Sequence, residues 1–453
     1  MNQNAMMGSI VTLEFEGGVF VQKVLEKSCE KVIIGAWSVP LSQVLSDEGC
    51  RRLKDLGLDF IYLDIGARHE YAQQALDQCR KYGLGLFAFD AKAANTPMDR
   101  YWSLQDSVSD YVAHPALWGT VLRDEPGIYD LPRLGLLAKA YQAFSAEKMP
   151  VINLYPSYAS EKQLNGVTYR EYLQRYAAEV DVPYLSYDHY PLYGDGTKTW
   201  VQDRYLSDFE TASDVCRQYN RQLWYFIQTL GFNKIVREPN EQDIRWQVYC
   251  ALSFGARMIQ LFTYGSPGDE NGSTGDEVFE LGLIDRQGEK TPRYEMVRRV
   301  LRELRQIEPA YLTCRHAGNM VYTGAACAGG VEEEVDITFP GKVVKVKRQK
   351  NYLELEHPLS SFGPILGLTG EGPVMAGCFT RQPDGQAAGR ERRAFTLVNM
   401  VDPGERKRNR ATVSFAGPVR LRIWSYGEPR ELEVEKEWSP GLDCGQGIFV
   451  EIL

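Results

Sequence analysis

The chain has 453 residues, of which 44% are hydrophobic and 25% are charged. This composition is typical of a folded globular protein with two or three domains, and it excludes a disordered chain. The formal net charge of -9 disfavours nucleic acid as a partner, because proteins that bind a phosphate backbone need clustered Lys and Arg side chains.

Targeting signals and cysteines indicate the compartment. The sequence has no apolar run of about 18 residues that could span a membrane, and its first residues lack the basic start and apolar core of a signal peptide. The nine cysteines are an odd number, are scattered and form no Cys-x-x-Cys motif, which favours reduced thiols. We therefore expect a cytoplasmic protein with no membrane partner, and the composition is compatible with a homo-oligomer.

The first 30 residues contain two short apolar runs, at 11–15 and 19–21, which predict strands of unassigned packing. From residue 32 onward, a short apolar run alternates with an amphipathic segment. The eight predicted strands begin near Val32, Asp59, Leu84, Leu117, Pro150, Pro183, Gln222 and Arg257. Eight such units predict an α/β fold, a (β/α)8 TIM barrel, over residues 31–310.

Helix boundaries carry their own signals. Thr168 and Glu171 have capping-box spacing, and Thr291 followed by Pro292 predicts a cap before another helix. After residue 310, short alternating runs separated by Gly, Pro and charged turns predict an antiparallel, sandwich-like β domain over residues 311–453.

The carboxyl ends of the predicted strands are rich in chemically active side chains. In a (β/α)8 barrel these ends form the mouth where active sites lie. The residues at these positions are Trp37, Asp64, Asp90, Asp124, Glu125, Asn153, Tyr155, Asp188, His189, Tyr190, Gln228 and Tyr264. Carboxylates and amides that bind vicinal hydroxyls, beside aromatic faces that stack on a sugar ring, predict a site for a small carbohydrate substrate.

Each of these residues also has a structural interpretation. An Asp after a strand can cap the next helix, as Asp64 and Asp90 would, and Asp124 before Glu125 and Pro126 can begin a helix. The aromatic residues Trp37, Tyr155 and Tyr264 can seal the barrel top as core residues, and His189 can be a packing residue. No zinc motif, glycine-rich phosphate loop or nucleophile elbow is present, so we expect neither a metal nor a cofactor.

The sequence resembles the clan A glycoside hydrolases, particularly the β-galactosidase-like barrels with a C-terminal β-sandwich. The similar segments are Asp124 to Pro126, which looks like a variant of the Asn-Glu-Pro motif at the end of strand 4, the stretch from Gln247 to Tyr264, and the stretch from Gly282 to Tyr294. The resemblance implies a glycosidase in which Glu125 is the acid/base residue.

One position departs from that clan. Its nucleophile is a Glu that ends strand 7, where this sequence has Gln228, and an amide has no carboxylate oxygen for attack on the anomeric carbon. Asp188 can then be the second carboxylate in an inverting geometry, activating water while Glu125 protonates the leaving group. The alternatives are a carboxylate from the strand 8 loop, namely Asp276, Glu277 or Glu280, or assistance by the substrate itself.

The sequence also suggests a role for each remaining side chain at the mouth. Asp124 would tune Glu125, and Trp118 or tyrosine neighbours would desolvate that acid. Stacking would come from Trp37, Tyr190 and Tyr264, with Tyr155 also contacting the sugar. The predicted hydroxyl ligands are Asp64, Asp90, Asn153, His189 and Gln228.

Two other classes of function compete with a glycosidase. One is an inactive barrel that binds carbohydrate without cleaving it. The other is a divalent-metal barrel enzyme with Asp64, Asp90, Glu125 and Asp188 as oxygen ligands.

Overall fold

The computed structural model describes residues 23–65, 69–275, 277–324, 333–339, 342–348, 352–381 and 392–453. The two predicted N-terminal strands, at 11–15 and 19–21, lie outside the described residues. Helix α1 (Lys23–Glu30) precedes the first described strand.

Eight parallel strands form a barrel, and each begins within one residue of its predicted start. Their bounds are β1 (Ile33–Ala36), β2 (Phe60–Asp64), β3 (Gly85–Phe89), β4 (Leu117–Asp124), β5 (Met149–Asn153), β6 (Tyr184–Asp188), β7 (Gln222–Gln228) and β8 (Ala256–Phe262). Their order is β5-β4-β3-β2-β1-β8-β7-β6, and a parallel bridge between Leu154 and Tyr187 joins β5 to β6. The predicted (β/α)8 barrel is confirmed.

Helices follow the strands and cover the barrel. They are α2 (Leu41–Val44), α3 (Asp47–Leu56), α4 (Ala72–Tyr82), α5 (Ala91–Ala94), α6 (Leu104–Val108), α7 (Leu131–Phe144), α8 (Glu161–Leu164), α9 (Tyr169–Glu179), α10 (Tyr205–Gln218), α11 (Glu241–Ser253) and α12 (Pro292–Tyr311). None of the helices in the described part of the chain is long and apolar enough to cross a membrane.

Both predicted cap residues occupy the N-cap position, and one of them caps its helix through its side chain. The Thr168 side chain accepts a hydrogen bond from the Glu171 backbone N–H, and α9 begins there. Thr291 is the N-cap residue of α12, which begins at Pro292 as predicted, but its side chain makes no capping hydrogen bond. The Thr291 hydroxyl instead donates to the Gly282 carbonyl at 2.8 Å, because the side chain is buried against the preceding loop.

The barrel interior is aromatic near the amino ends of its strands. The rings of Tyr184 and Trp224 stack with centroids 3.7 Å apart, and Trp118 fills the space beside Gly85. A Cβ on Gly85 would lie 2.2 Å from the Trp118 ring, so this position has room only for glycine. The polar side chains of the barrel are concentrated toward the other end of the strands, which is the mouth.

The second domain is an antiparallel sandwich, as predicted. Its strands are β9 (Cys314–Tyr322), β10 (Glu333–Phe339), β11 (Lys342–Arg348), β12 (Ile365–Gly370), β13 (Val374–Arg381), β14 (Arg392–Asn399), β15 (Asn409–Phe415), β16 (Val419–Ser425), β17 (Glu428–Val434), β18 (Glu437–Trp438), β19 (Gly441–Leu442) and β20 (Gly447–Ile452). A sheet ordered β9-β13-β14-β20-β16-β17 faces a smaller sheet ordered β12-β15-β18, in which β19 also pairs with β15. Apolar side chains from both sheets form one core, separate from the barrel core.

Helix α11 joins the two domains. The hydroxyl of Ser253, at the end of this helix, lies 2.7 Å from that of Thr396 in β14, and Asn319 in β9 donates to the Ser253 carbonyl at 3.0 Å. Because α11 follows β7, the sandwich is attached to the barrel through the helix behind one of the strands that end at the mouth.

Candidate active site

A carboxylate cluster lies where β4, β5 and β6 end. The pairing of β4 with β5 shifts register between Val121 and Arg123, and this irregularity brings Asp124 opposite Asn153. Irregularities of this kind change the direction in which a strand aims its side chains, and they are frequent beside active sites. Asp188 ends the neighbouring strand β6.

Glu125 has a left-handed backbone with φ of 48°, which is strained for a residue with a side chain. Its backbone N–H donates to the Asn153 carbonyl at 2.8 Å. The next residue is fixed as well, because the Tyr172 hydroxyl donates to the Pro126 carbonyl at 2.7 Å. These contacts fix the backbone that carries the half-buried Glu125 side chain.

The amide of Asn153 links the two aspartates. Its Nδ2 donates to an Asp188 carboxylate oxygen at 2.9 Å and to Asp124 Oδ1 at 3.3 Å. Both donations favour the ionised forms of the aspartates.

Burial and like charges act together on Glu125. Burial and the negative charges of Asp188, Asp124 and Glu277 raise the pKa of Glu125 well above its usual range. Glu125 is therefore protonated when its neighbours are ionised. A protonated carboxyl can donate a proton to a bound molecule.

The pKa values of the two aspartates are raised less than that of Glu125. The surrounding protein raises the pKa of Asp124 to about 6, although its side chain keeps contact with solvent at the top of the recess. Burial and the charge of Asp124 raise the pKa of Asp188, while hydrogen bonds from Asn153 and Tyr190 oppose that rise. This carboxylate recess, formed by Asp124, Glu125, Asp188 and Asn153, contains one proton donor among anionic groups.

Aromatic rings also lie at the barrel mouth. Trp37 is half-buried, with its ring centroid 4.6 Å from Tyr62 and 5.7 Å from Phe226. Tyr190 stacks on Phe262 with centroids 4.7 Å apart and also reaches Asp188. Tyr155, half-buried, is close enough to Glu125 for that charge to raise its pKa, although burial is the larger cause.

Two aspartates predicted as hydroxyl ligands have different positions. Asp90 is fully buried and caps α5, accepting from the Lys92 N–H at 2.9 Å, and its other oxygen accepts from the Tyr111 hydroxyl at 2.8 Å. It therefore has the structural role that was its alternative interpretation. Asp64 is exposed at the end of β2.

His189 faces away from the recess. Its Nδ1 lies 2.8 Å from Asp208 in α10, and its ring is fully buried. Because successive side chains of a strand point to opposite faces, His189 points outward where Asp188 points inward. This position agrees with its structural interpretation as a packing residue behind β6.

The Gln228 side chain is bonded to backbone. Its Nε2 donates to the Arg237 carbonyl at 2.7 Å and to the Leu230 carbonyl at 3.2 Å, and its Oε1 accepts from the Leu192 N–H at 3.3 Å. The structure therefore does not bring this amide into the carboxylate recess, because its bonds hold the loops around the end of β7.

Tyr264 and Trp118 also lie away from the recess. Tyr264 is fully buried, and its electrostatic neighbours are Arg52 and Cys50 of α3, so its ring packs in the helical layer and cannot stack on a ligand. Trp118 lies near the start of β4 and packs on Phe60 and Phe87, so it does not desolvate Glu125.

The loop after β8 contributes one of its three candidate carboxylates. Glu277 is close enough to raise the pKa of Glu125, and the hairpin that carries it is held by the Asn233 side chain, which accepts from the Val278 N–H at 3.0 Å. Glu280 lines a separate recess beside Lys198 and Arg237. Asp276 lies outside the described residues.

Among the residues that the structure describes, no group of three His, Cys, Asp or Glu side chains is placed to hold a metal ion. The four predicted oxygen ligands do not converge, because Asp90 is bonded inside the barrel wall. The donor set therefore does not fit the divalent-metal alternative.

Three polar residues below the recess were not predicted from the sequence. Ser186, Gln260 and Tyr62 are buried on the inner face of the barrel. Each lies two residues before a strand end, and the period of two in a strand places it on the same face as that end residue. Gln260 carries a further signal, because it is a polar residue inside the apolar run of β8.

Comparisons with known proteins support the fold. No protein-family model and no curated protein matches the chain. Two solved structures of a GH27 β-L-arabinopyranosidase from Geobacillus stearothermophilus, one of them an arabinose complex, align with 95% and 94% of this chain and 99% and 97% of theirs, at 10% identity and a TM-score of 0.50. A family 39 glycoside hydrolase from Bacteroides cellulosilyticus aligns with 94% of this chain and 82% of its own, at 12% identity and a TM-score of 0.49. At such identities the likeness to the arabinopyranosidase shows a shared fold.

Proposed function

We propose that this chain is a glycoside hydrolase that cleaves an O-glycosidic bond of a small glycoside or oligosaccharide, with Glu125 as its general acid. The observation that carries the proposal is the arrangement of Glu125, held protonated at the barrel mouth beside two hydrogen-bonded aspartates. The shared fold with a glycosidase agrees with it but does not identify the reaction.

In the proposed mechanism, Glu125 donates its proton to the glycosidic oxygen as the bond to the anomeric carbon breaks. Asp188, favoured as an anion by the Asn153 amide, stabilises the positive charge that develops on the sugar ring and removes a proton from the incoming water. With Gln228 bonded to backbone at the end of β7, we propose that water attacks directly and the configuration inverts.

The surroundings of the recess suit a carbohydrate. Tyr190 lies beside Asp188, and Trp37 follows β1 at the same barrel mouth, where rings can stack on the apolar face of a sugar. Further aromatic side chains are exposed on the loops that follow β2 to β5. They are Tyr71, Tyr101, Trp102, Tyr129 and Tyr158, of which Trp102 is 64% and Tyr129 is 76% exposed.

We also propose a cytoplasmic location. The eight cysteines in the described ranges are free, which suits a reducing compartment. That compartment favours small imported glycosides over polymers as substrates.

Glu277 is the alternative second carboxylate, because its charge reaches Glu125 from the loop after β8. The two candidates differ in their support. Asp188 is buried and bonded to Asn153, whereas Glu277 is exposed on a short hairpin. We therefore assign the role to Asp188.

The experiment is a comparison of Glu125→Gln with the unaltered protein on a panel of alkyl and nitrophenyl glycosides. General acid catalysis contributes about 10²- to 10⁴-fold, so we expect a loss of that size on alkyl glycosides, a smaller loss on nitrophenyl glycosides, and sugar binding retained in calorimetry. Glu280→Gln, which changes a carboxylate outside the recess, is the matched control. Undiminished hydrolysis of alkyl glycosides by Glu125→Gln would exclude the assignment.

A further inference from the structure

A line of hydrogen bonds crosses the barrel interior beneath the carboxylate recess. The Tyr62 hydroxyl donates to Gln260 Oε1 at 2.5 Å, and Gln260 Nε2 donates to Ser186 Oγ at 3.0 Å. The Ser186 hydroxyl donates to Asn153 Oδ1 at 2.9 Å. Residues from β2, β8, β6 and β5 thus form one buried relay that ends at the Asn153 amide.

Every bond in this relay has the same direction. The hydroxyl of Ser186 has a single hydrogen, so it can donate to Asn153 only while it accepts from Gln260. The Gln260 amide in turn presents its NH2 to Ser186 only while its oxygen receives the Tyr62 hydrogen. Tyr62 is therefore the first donor of the line.

The relay determines which way the Asn153 amide faces. With its oxygen held by Ser186, the amide turns its NH2 toward Asp188 and Asp124. A flipped amide would place its oxygen against two carboxylates and would leave the Ser186 hydrogen facing an NH2 group. In a buried site both arrangements are costly, because polar groups there lack water as a substitute partner.

The orientation of the Asn153 amide affects which carboxyl groups of the recess are protonated. Asp124 and Asp188 each receive a hydrogen bond that favours their anionic forms, whereas no described residue gives the Glu125 carboxyl such a donor. The charged and titratable groups that face the recess are Arg123, Asp124 and Glu125 from β4 and its end, Tyr155 and Tyr158 from the loop after β5, Asp188 and Tyr190 from β6 and its end, Tyr62 from β2, and Glu277 from the hairpin after β8.

We propose that Tyr62, Gln260 and Ser186 are positioning residues that orient the Asn153 amide and so keep the proton of the recess on Glu125 and the negative charge on Asp188. This inference rests on the proposed function for its catalytic meaning. The orientation itself is independent of turnover and can be measured without a substrate.

The test is a carbon-13 NMR titration of the protein labelled at its Asp and Glu carboxyl carbons, with Asp188→Asn used to assign the Asp188 signal. We expect Ser186→Ala to raise the midpoint of Asp188 by about 0.5 to 1 unit, because the amide is released and no longer favours the anion. Tyr62→Phe, which removes only the first hydrogen of the relay, should raise it in the same direction by less.

Tyr141→Phe is the matched control. Tyr141, in α7, is also a fully buried tyrosine whose hydroxyl lies 3.0 Å from a side-chain hydroxyl, that of Thr120, but it lies outside the relay. Its removal should leave the Asp188 midpoint unchanged.

Equal Asp188 midpoints in Ser186→Ala, Tyr62→Phe and Tyr141→Phe would overturn the proposal. If Ser186→Ala does not fold, Tyr62→Phe decides alone, since it keeps the ring and the packing. Should the unaltered protein cleave no glycoside, the proposed function fails while the titration still tests the relay. If it does cleave one, the acidic limb of the kcat/KM profile should move to higher pH in Ser186→Ala and Tyr62→Phe, together with the NMR midpoint of Asp188.

Discussion

Glu125 combines a strained backbone with a carboxyl group held in its neutral form. The left-handed φ is maintained by bonds to Asn153 and by the fixed position of Pro126, so the strain is located at the residue proposed to transfer the proton. Strain of this kind persists only where the surrounding structure overdetermines a conformation. The charges that raise the pKa of the side chain come from other neighbours, namely Asp188, Asp124 and Glu277.

Two ionisations then set the pH dependence of the proposed activity. Asp188 must be ionised, so activity is lost as the pH falls through its raised pKa. Glu125 must be protonated, so activity is lost as the pH rises through its raised pKa. Asp124→Asn removes a negative charge that raises both pKa values, and we expect both limbs of the kcat/KM profile to move to lower pH.

Glu277→Gln provides the contrast for that measurement. Its charge is among the causes that raise the pKa of Glu125 but not among the main causes of the shift of Asp188, so the basic limb should move to lower pH and the acidic limb should stay in place. A profile in which Asp124→Asn leaves both limbs in place would contradict the assignment of the two groups.

At the scale of the element, the hydrophobic pattern predicted the positions of the strands closely. It predicted less well the direction in which the side chains at the strand ends point. All eight strands begin within one residue of their predicted starts, because a buried parallel strand is a continuous apolar run. Which way the last residue points depends on local pairing, and one residue more or less reverses it. The register shift in β4 aims Asp124 at Asn153, whereas His189 and Tyr264 turn outward.

Contacts between residues of distant strands could not be predicted from the sequence. The relay from Tyr62 to Asn153 joins residues up to 198 positions apart in the chain, and single-sequence patterns carry no information on such pairs. The carboxylates of β4 and β6 were predictable, because strand ends of a barrel meet at one face. Their protonation states depend on desolvation and on that relay, which only the packed structure provides.

A substitution at the end of β7 tests whether position 228 can hold a catalytic nucleophile. Gln228→Glu would replace the two donations to the Arg237 and Leu230 carbonyls with a carboxylate facing carbonyl oxygens. We expect a loss of unfolding free energy of about 1–3 kcal/mol for each polar group left unsatisfied, with no gain of hydrolysis. Urea denaturation and the glycoside panel measure the two effects.

Gln287→Glu adds the same charge at an exposed position and should leave stability nearly unchanged. A Gln228→Glu protein that is stable and hydrolyses glycosides faster would show that this position can hold a nucleophile. The role proposed for Asp188 would then be wrong.

At the scale of the whole molecule, the sandwich is joined to the strand ends through α11. The Gln247 side chain in this helix accepts from the Gln228 N–H at 2.8 Å and donates to the Gln228 carbonyl at 3.1 Å. The opposite part of α11 packs on β14 and β20 of the sandwich. Displacing the sandwich should therefore disturb the end of β7, and the two domains should unfold together.

Gly377 in β13 is the position that tests this coupling. A Cβ placed there would lie 2.3 Å from the Ser253 carbonyl oxygen at the end of α11, 2.6 Å from Ser253 Cα and 2.7 Å from Thr396 Oγ1. Since backbone atoms cannot rotate aside, Gly377→Ala must push α11 away from the sheet, and overpacking of this kind costs about 1–3 kcal/mol. We expect a lower melting temperature in scanning calorimetry, with the whole protein still unfolding in one transition.

Gly441→Ala, in the same domain, adds the same methyl group where no atom lies within 4 Å and should leave the melting temperature unchanged. Equal melting temperatures for the two variants, or a separate early transition of the sandwich in Gly377→Ala, would contradict a rigid connection through α11.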